Sequence, residues 1–234
     1  MQDWQKRTAL IVGEDGIEKL KKSSVIIFGV GGVGGFAAEA IARAGVGNIT
    51  IVDFDDIDIT NINRQVIALH STVGKLKVDA FKERLKDINP EINVTAIPQM
   101  YTVENGESLL EGDYDYVVDA IDMITSKIHI IETCNKKGIN IISSMGMGNK
   151  LDPTKIELTD IYKTSMCPLA RVMRRELKSR GIKKLKVVYS TEKAIEPKEK
   201  IMNGKKVTAG SISFVPSVGG LIIASAVIND ILNK

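Results

Sequence analysis

Hydrophobic and polar positions follow two patterns that alternate along the first two thirds of the chain. Short apolar runs rich in β-branched residues predict five strands, the first from residue 24 and the others at 49–53, 92–97, 114–121 and 139–143. Between these runs, apolar residues at helical spacing predict helices at 34–44, 75–88 and 125–137. Strands that alternate with helices are typical of an α/β fold, a mostly parallel sheet with helices on both faces. Ligands of such folds lie at the carboxyl ends of the strands.

Beyond Met145 the pattern changes to loops, a basic helix and a strand at 185–189. The apolar stretch 214–228 is interrupted by Pro216 and two glycines, so we predict a final strand followed by a buried helix rather than a membrane span. We expect the whole chain, 1–234, to form a single domain that includes the loops and basic helix of 145–190.

Composition restricts the setting in which the protein works. The N-terminus is polar and lacks the apolar core of a signal peptide. Cys134 and Cys167 form no Cys-x-x-Cys pair, which argues against structural zinc and against a disulfide framework. We therefore expect a cytoplasmic protein that does not associate with a membrane.

A glycine cluster follows the first predicted strand and leads into a helix. Gly29, Gly31 and Gly34 fit the pattern G-x-G-x-x-G, and Gly32 is an additional glycine. This Rossmann-like strand–turn–helix unit lets a phosphate approach bare backbone at the positive end of a helix dipole. The pattern alone fits NAD, FAD or ATP, and some glycine-rich turns bind nothing.

An acidic residue ends the second predicted strand. Asp53 stands where a ribose-binding carboxylate is found after a β-α-β unit. An aspartate at this point can instead cap the next turn. Two further carboxylates, Asp55 and Asp56, leave the choice of the ribose ligand open, and Asp55 remains a second candidate for the nucleotide.

The stretch 60–65 comes just after this acidic strand end and carries groups that suit polyphosphate. Arg64 offers a planar guanidinium that matches phosphate oxygens bidentately. Asn61 and Asn63 can hydrogen-bond phosphate or ribose. The alternative is a turn into a helix, since asparagine caps helices readily.

Two further features add charge at the same edge of the predicted sheet. Lys75 and Lys77 stand at the start of a predicted helix, where a positive charge opposes the helix dipole unless an anion lies nearby. Asp119 and Asp122 follow the fourth predicted strand, where a carboxylate can hold magnesium beside a triphosphate. Asp122 can instead cap the helix that follows.

These motifs follow one another in an order that resembles the ubiquitin-activating-enzyme-like (ThiF/MoeB/HesA) superfamily, over residues 7–144. Members of that superfamily adenylate carboxylates. The resemblance implies that the glycine turn cradles ATP and that Asp53 holds the ribose. It also implies that Arg64 and Lys77 contact the phosphates, with Asn61 beside them, and that Asp122 holds Mg²⁺.

The same resemblance bears on the assembly of the protein. Such proteins are usually homodimers, and an N-terminal arginine often reaches the ATP of the partner subunit. Arg7 is the matching candidate. A nicotinamide oxidoreductase, the rival explanation of the glycine turn, would leave Arg64, Lys77 and Asp122 without a role.

Departures from the superfamily pattern narrow the substrate. Members that activate sulfur-carrier proteins commonly hold zinc through two Cys-x-x-Cys pairs, which this chain lacks. The stretches 144–153 and 160–171 look like the tRNA threonylcarbamoyladenosine dehydratase branch (TcdA/CsdL). That branch uses ATP to activate the threonyl carboxylate of a modified adenosine in tRNA, and loss of water then closes a ring. The alternative is an enzyme that adenylates the C-terminus of a sulfur-carrier or ubiquitin-like protein, and participation of a sulfur-relay partner is left open.

Charge is distributed unevenly along the chain. The basic segment, residues 163–186, carries a net charge of +8, which leaves −5 for the rest of a chain with a net charge of +3. Such asymmetry is expected of a nucleic-acid-binding surface, although a solvated basic face would give the same pattern. The candidate tRNA contacts are Arg171, Arg174, Arg175, Lys178, Lys183 and Lys184.

Cys167 precedes the predicted basic helix. A thiolate there would be stabilised by the helix dipole and by Arg171. A small apolar residue before Pro168 needs no chemistry, however, so a catalytic role for Cys167 stays open.

Overall fold

The computed structural model describes residues 2–199, 202–203 and 206–233. Its main sheet has seven strands in the order β3-β2-β1-β4-β5-β7-β6, where β6 is antiparallel to β7 and the other neighbours are parallel. These strands are β1 (Ser24–Phe28), β2 (Asn48–Val52), β3 (Asn93–Ile97), β4 (Tyr116–Asp119), β5 (Asn140–Ser144), β6 (Ile156–Asp160) and β7 (Lys186–Ser190). A separate short pair is formed by β8 (Met202–Asn203) and β9 (Lys206–Val207).

Helices cover both faces of this sheet. They are α1 (Lys6–Lys22), α2 (Gly34–Ala44), α3 (Lys77–Ile88), α4 (Val103–Leu109), α5 (Ile124–Lys137), α6 (Pro168–Ser179) and α7 (Phe214–Leu232). Val25 and Ile27 of β1 pack with α2, α3 and α7 on one face, whereas Ile26 and Phe28 pack with α5 on the other. Burial of such a side chain stabilises the fold by about 1.5–3 kcal/mol. The predicted α/β fold is therefore confirmed.

Helix α2 shows why part of this architecture can be read from sequence. It spans the predicted residues, begins at the last glycine of the motif, Gly34, and ends at Gly45, whose φ of 108° is left-handed. Glycine is the residue that adopts this conformation at a helix C-terminus without strain. Gly138 ends α5 in the same way, with φ of 69°.

The prediction of a final strand within 214–228 is wrong, because this stretch forms the first fifteen residues of the continuous helix α7. Pro216 lies in the first turn, where its missing N–H has no partner to lose. A Cβ on Gly220 would lie 2.3 Å from the carbonyl oxygen of Val33, so this glycine lets α7 approach the start of α2 closely. By length and composition alone α7 could cross a membrane, but half of its most apolar window is buried in the fold.

Two of the helices and three of the strands were not predicted from the sequence, and the short pair β8 and β9 is among them. Helices α1 and α4 lie outside the predicted strand–helix alternation, and α1 is interrupted at Gly13, whose φ is 76°. Strand β6 lies at the sheet edge with Leu158 exposed, so its apolar pattern is short and weak.

The strand order places one point of the sheet at a topological switch. From β1 the chain proceeds outward to β2 and β3, and it returns to the other side of β1 at β4. Ligands of doubly wound sheets bind at such a point, outside the carboxyl ends of the strands. We call this side of the sheet the carboxyl edge, and the side on which the parallel strands begin the amino edge.

Candidate active site

The glycine turn, residues 29–34, lies at the carboxyl edge between β1 and α2. Gly29 has φ of 83°, and a Cβ there would lie 2.8 Å from the carbonyl oxygen of Ala120. A Cβ on Gly34 would lie 1.8 Å from the carbonyl oxygen of Gly29. Neither position has room for a side chain, so the turn packs directly against the segment that follows β4.

Four successive backbone N–H groups of this turn, those of residues 31–34, have no hydrogen-bond acceptor within the part of the chain that the structure describes. The next N–H, of Gly35, donates to the carbonyl oxygen of Gly31 at 2.9 Å and begins the helical pattern. The four donors therefore lie at the positive end of the α2 dipole. Donors of this kind at a helix N-terminus form a phosphate-binding site.

Asp53 follows β2 and connects it to the glycine turn. Its Oδ2 accepts the N–H of Val30 at 2.8 Å, and its Oδ1 accepts the N–H of Asp55 at 3.0 Å. The carboxylate therefore orients the turn and also caps the next one, as the alternative interpretation of the sequence required. Each carboxylate oxygen can accept a second hydrogen bond, so Asp53 can still receive ribose hydroxyls.

Lys77 lies at the start of α3 beside these acidic residues. Its ammonium group is 2.6 Å from Oδ2 of Asp55 and 3.9 Å from Oδ1 of Asp53. Only 6% of the Lys77 side chain is exposed, whereas Asp55 is half exposed. The positive charge at a helix N-terminus is thus compensated by a carboxylate, and its remaining N–H donors can reach an anion at the carboxyl edge.

Arg64 extends over the glycine turn from the loop after β2. Its Cγ lies 3.4 Å from where a Cβ on Gly32 would be. Its guanidinium donates from Nη1 to the carbonyl oxygen of Thr60 at 3.0 Å and to Oδ1 of Asn63 at 2.8 Å. Nε and Nη2 have no acceptor among the described residues. Arg64 is therefore oriented by one nitrogen and can donate to phosphate from the others.

Asn61 supports this loop. Its Oδ1 accepts the N–H of Asp58 at 3.2 Å, and its carbonyl oxygen accepts the N–H groups of Arg64 and Gln65. The amide oxygen thus closes a short helical turn, as the alternative interpretation of the sequence required. Asn61 is buried and holds the loop from which Arg64 extends.

The segment after β4 contains two acidic residues with different environments. Asp119 is fully buried, where Lys127 forms an ion pair with it at 3.0 Å and Ser143 donates to its Oδ2 at 2.6 Å. Asp122 is exposed, and its carboxylate has no partner among the described residues. Of the two, Asp122 is the one that a metal ion or a ligand can reach.

Lys127 was missed in the sequence. Its side chain is fully buried and also donates to the carbonyl oxygen of Ile121 at 3.0 Å. The signal that could have found it is a lysine on the apolar face of α5, since an unpaired lysine is almost never buried.

The site has limited capacity for a metal ion. The described residues contain no group of three or more His, Cys, Asp or Glu side chains placed to hold one. Mg²⁺ is commonly bound through one or two carboxylates together with the phosphates of a nucleotide, and the free carboxylate of Asp122 fits that mode.

Arg7 does not reach the glycine turn of its own chain. Gln5, two residues before Arg7, packs beside Gly45, which precedes β2 at the amino edge. Arg7 is two residues away on α1, exposed, and therefore lies on the opposite side of the sheet from the glycine turn. The contact with a partner subunit stays a prediction.

The basic segment runs between the two edges. Cys167, at the start of α6, lies near Gly146 just past the end of β5, whereas Lys183 and Lys184 directly precede β7 at the amino edge. Arg171, Lys178, Lys183 and Lys184 are exposed. Arg174 is half-buried and donates to the carbonyl oxygen of Thr164 at 3.0 Å, and Arg175 pairs with Glu176 at 2.9 Å. Arg174 therefore has a structural contact in addition to its charge.

The two cysteines occupy structural positions. Sγ of Cys167 is the acceptor for the N–H of Ala170 at the start of α6, and the residue is 97% buried. Cys134 lies in the core of α5, where burial raises the pKa of its thiol to about 12. His129 contacts the hydroxyl of Tyr101 at 2.8 Å, consistent with a structural role.

Comparison with known proteins gives matches over the whole chain. The ThiF family matches residues 5–234. A tRNA threonylcarbamoyladenosine dehydratase of Bacillus subtilis (strain 168) is 48% identical, over 97% of this chain and 93% of the relative. The crystal structure of Escherichia coli tRNA N6-threonylcarbamoyladenosine dehydratase in complex with AMP has a TM-score of 0.92 at 33% identity, over 100% of this chain and 97% of that one. The same enzyme in complex with ATP gives a TM-score of 0.90 at 34% identity, with the same coverage. The resemblance inferred from the motifs is thereby confirmed, and the chain belongs to the ThiF family.

Proposed function

We propose that this protein is an ATP-dependent tRNA threonylcarbamoyladenosine dehydratase that adenylates the threonyl carboxylate of the modified adenosine. The observation that carries the proposal is the row of backbone N–H donors at residues 31–34, which have no acceptor among the described residues. These donors stand at the switch point of a fold that matches an ATP-bound dehydratase over its full length. The substrate follows from the full-length relatives, which are dehydratases of this nucleoside.

The chain's own residues hold the nucleotide. The glycine turn binds the phosphates through Gly31, Gly32 and its neighbours, and Asp53 receives the ribose. Arg64 and Lys77 approach from the loop after β2 and from the start of α3. Together they place positive charge where negative charge builds on the α-phosphate during transfer.

The reaction starts with a carboxylate that has no good leaving group. A carboxylate oxygen attacks the α-phosphorus of ATP, pyrophosphate leaves, and a mixed anhydride with AMP forms. The carbamoyl group of the same nucleoside then attacks the acyl carbon, and AMP departs with the former carboxylate oxygen. The two steps close a ring and remove the elements of one water from the nucleoside.

No enzyme nucleophile is needed for ring closure, because the attacking group belongs to the same molecule. Well-aligned intramolecular reactions reach effective molarities of about 10⁵–10⁸ M. The protein then has to orient the nucleoside and exclude water. The buried, capping position of Cys167 agrees with a reaction that uses no thiol.

We propose Asp122 as the residue that holds Mg²⁺, since its carboxylate is exposed and has no partner among the described residues. When bound, Mg²⁺ neutralises charge on the phosphates. Asp55, also at the carboxyl edge, compensates the charge of Lys77.

The tRNA is proposed to bind along the basic segment. Arg171 lies in the first turn of α6, toward the carboxyl edge, and Lys178, Lys183 and Lys184 continue toward the amino edge. Phosphate contacts supply most of the sequence-independent affinity for nucleic acid. A surface that extends from one edge to the other suits a polyanion much larger than the reacting nucleoside.

We propose a homodimer that works in the cytoplasm. Leu10 and Ile11 of α1 are each 87% exposed and lie near Arg7, which supports a homodimer in which this part of α1 contacts the partner. Both cysteines are free, in agreement with a cytoplasmic protein. We propose one adenylation domain for 1–234.

The test is to incubate the purified protein with tRNA carrying threonylcarbamoyladenosine, ATP and magnesium. Digestion to nucleosides and mass spectrometry should show the loss of one water, and AMP should form in equal amount. Asp122→Asn should abolish both products and leave tRNA binding intact. If AMP forms only with a carrier protein ending in Gly-Gly, the protein is instead an activating enzyme for that carrier.

A further inference from the structure

We propose that Lys127 is a positioning residue, which fixes the segment 119–122 and thereby holds the Asp122 carboxylate beside the glycine turn. This inference rests on the proposed function and names a residue that the sequence motifs did not include. The Lys127 side chain is fully buried and its ammonium group contacts Asp119 and Ile121, so any effect on the reaction must pass through these groups.

The environment of Lys127 is unusual for a charged side chain. Lys127 and Asp119 are both fully buried, and the ammonium group lies 3.0 Å from each carboxylate oxygen. A buried ion pair is often replaceable by apolar residues without loss of stability, because desolvation offsets the attraction between the charges. Stability alone is therefore a poor explanation for this pair.

A second hydrogen bond of Lys127 connects the ion pair to the candidate metal ligand. The ammonium group donates to the carbonyl oxygen of Ile121 at 3.0 Å, and Asp122 is the next residue. The backbone N–H of Lys127 also donates to the carbonyl oxygen of Met123 at 2.9 Å. Lys127 thus contacts the chain on both sides of Asp122.

Asp122 itself has no side-chain contact that would hold it in place. Its carboxylate is exposed and lacks a partner in the described parts of the chain. Met123, the N-cap of α5, provides no side-chain cap either. The place of the carboxylate is therefore set by the backbone of residues 119–122.

The opposite side of this segment contacts the glycine turn. The N–H of Ala120 donates to the carbonyl oxygen of Phe28 at 2.9 Å. A Cβ on Gly29 would lie 2.8 Å from the carbonyl oxygen of Ala120. A Cβ on Gly34 would lie 3.0 Å from the Cβ of Ala120. Because the segment lies between the Lys127 ammonium group and the turn, Lys127 can fix the distance from Asp122 to the phosphates.

The experiment neutralises the ion pair without leaving a buried charge. Asp119→Asn with Lys127→Met removes both charges and the hydrogen bond to Ile121. The matched control is Lys186→Met with Asp230→Asn, a lysine–aspartate pair at the amino edge with 2.7 Å between Nζ and Oδ1. Binding of the ATP analogue AMPCPP, which cannot be cleaved between the α- and β-phosphates, is measured by calorimetry over a series of Mg²⁺ concentrations.

We expect the Asp119/Lys127 variant to need about 10- to 100-fold more Mg²⁺ for half-maximal enhancement of AMPCPP binding, the usual effect of removing a group that orients a metal ligand. The control should keep the wild-type Mg²⁺ dependence. In an Asp122→Asn background the neutral pair should add nothing further, because both changes act on one contact. Unchanged Mg²⁺ dependence, or an equal shift in the Asp122→Asn background, overturns the proposal.

Ser143→Ala provides the measurement if the double variant does not fold. It keeps both charges and removes only the hydrogen bond to Asp119, so a smaller shift in the same direction is expected. No shift with a folded Ser143→Ala protein also overturns the proposal. Failure of the proposed function would give a different result. The wild-type protein would then form no dehydrated nucleoside, whatever the Mg²⁺ dependence of AMPCPP binding.

Discussion

Gly31→Ala tests whether phosphates lie against the glycine turn without disturbing the turn itself. The heavy atom nearest to a Cβ on Gly31 would be Nε2 of Gln65, at 3.7 Å, an ordinary contact distance. The φ of Gly31 is not left-handed, so alanine introduces no backbone strain. Reduced entropy of the unfolded chain should leave stability unchanged or raise it by about 0.4–1 kcal/mol.

The same methyl group should weaken nucleotide binding, because it occupies the space from which a phosphate approaches the N–H donors of residues 31–34. A hydrogen bond to a charged group contributes about 1.5–3 kcal/mol. The loss of one such bond corresponds to about a 10- to 150-fold rise in Kd. Calorimetry with AMPCPP and Mg²⁺ measures this, and thermal denaturation measures the fold.

Gly34→Ala is the contrasting variant. Its Cβ would lie 1.8 Å from the carbonyl oxygen of Gly29, so the backbone must move by more than about 1 Å. We expect lower stability as well as weaker binding, with Tm falling by about 2–4 °C for each kcal/mol. Wild-type AMPCPP affinity in folded Gly31→Ala protein would refute the placement of the phosphates.

Three further variants examine other parts of the molecule. Glu39 of α2 contacts Arg84 of α3 and Arg43. Burial acts to raise its pKa, but the hydrogen bonds and charges of Arg84 and Arg43 together outweigh burial and hold the pKa below 4.5. Glu39→Gln should therefore lower Tm above about pH 4.5, by an amount that vanishes as pH falls through the lowered pKa; an equal loss at all pH values would contradict this. Arg171→Glu should weaken tRNA binding and reduce the slope of log affinity against log salt concentration by about one, as measured by fluorescence anisotropy. Lys22→Glu at the amino edge should do neither. Equal effects of the two variants would show that the basic segment is not the tRNA-binding surface. Cys167→Ala should keep the rate of AMP formation, with a small loss of Tm because Sγ no longer caps the start of α6. A folded variant that forms no AMP would instead indicate that the thiol takes part in the reaction.

The strand–turn–helix unit around the glycine turn was predictable because its signals are local. The apolar run of β1, the glycines and the left-handed Gly45 act within a few residues of one another, and the structure places α2 where the sequence does. The stretch from Phe214 onward was misinterpreted because its β-branched residues favour a strand and its proline and glycines disfavour a helix. Its helix depends on close packing of Gly220 against Val33, a contact between residues far apart in the chain.

In the candidate site, too, the positions of residues could be predicted from the sequence, whereas their contacts could not. Arg64, Lys77 and Asp122 were predicted as site residues from the order of motifs, and the structure places all three at the carboxyl edge. What each side chain contacts was not predictable, since the Lys77–Asp55 pair joins residues of different elements. Lys127 was missed for this reason, because it lies on helix α5 whereas its partner Asp119 ends strand β4.

Formation of an acyl adenylate is the central claim, and isotope transfer tests it most directly. Threonylcarbamoyladenosine in tRNA is labelled in both carboxylate oxygens with the heavy isotope, incubated with the protein and ATP, and the products are analysed by mass spectrometry. Attack of the carboxylate on the α-phosphorus predicts one heavy oxygen in AMP and none in pyrophosphate. Unlabelled AMP, or heavy oxygen in inorganic phosphate with release of ADP, would contradict the account.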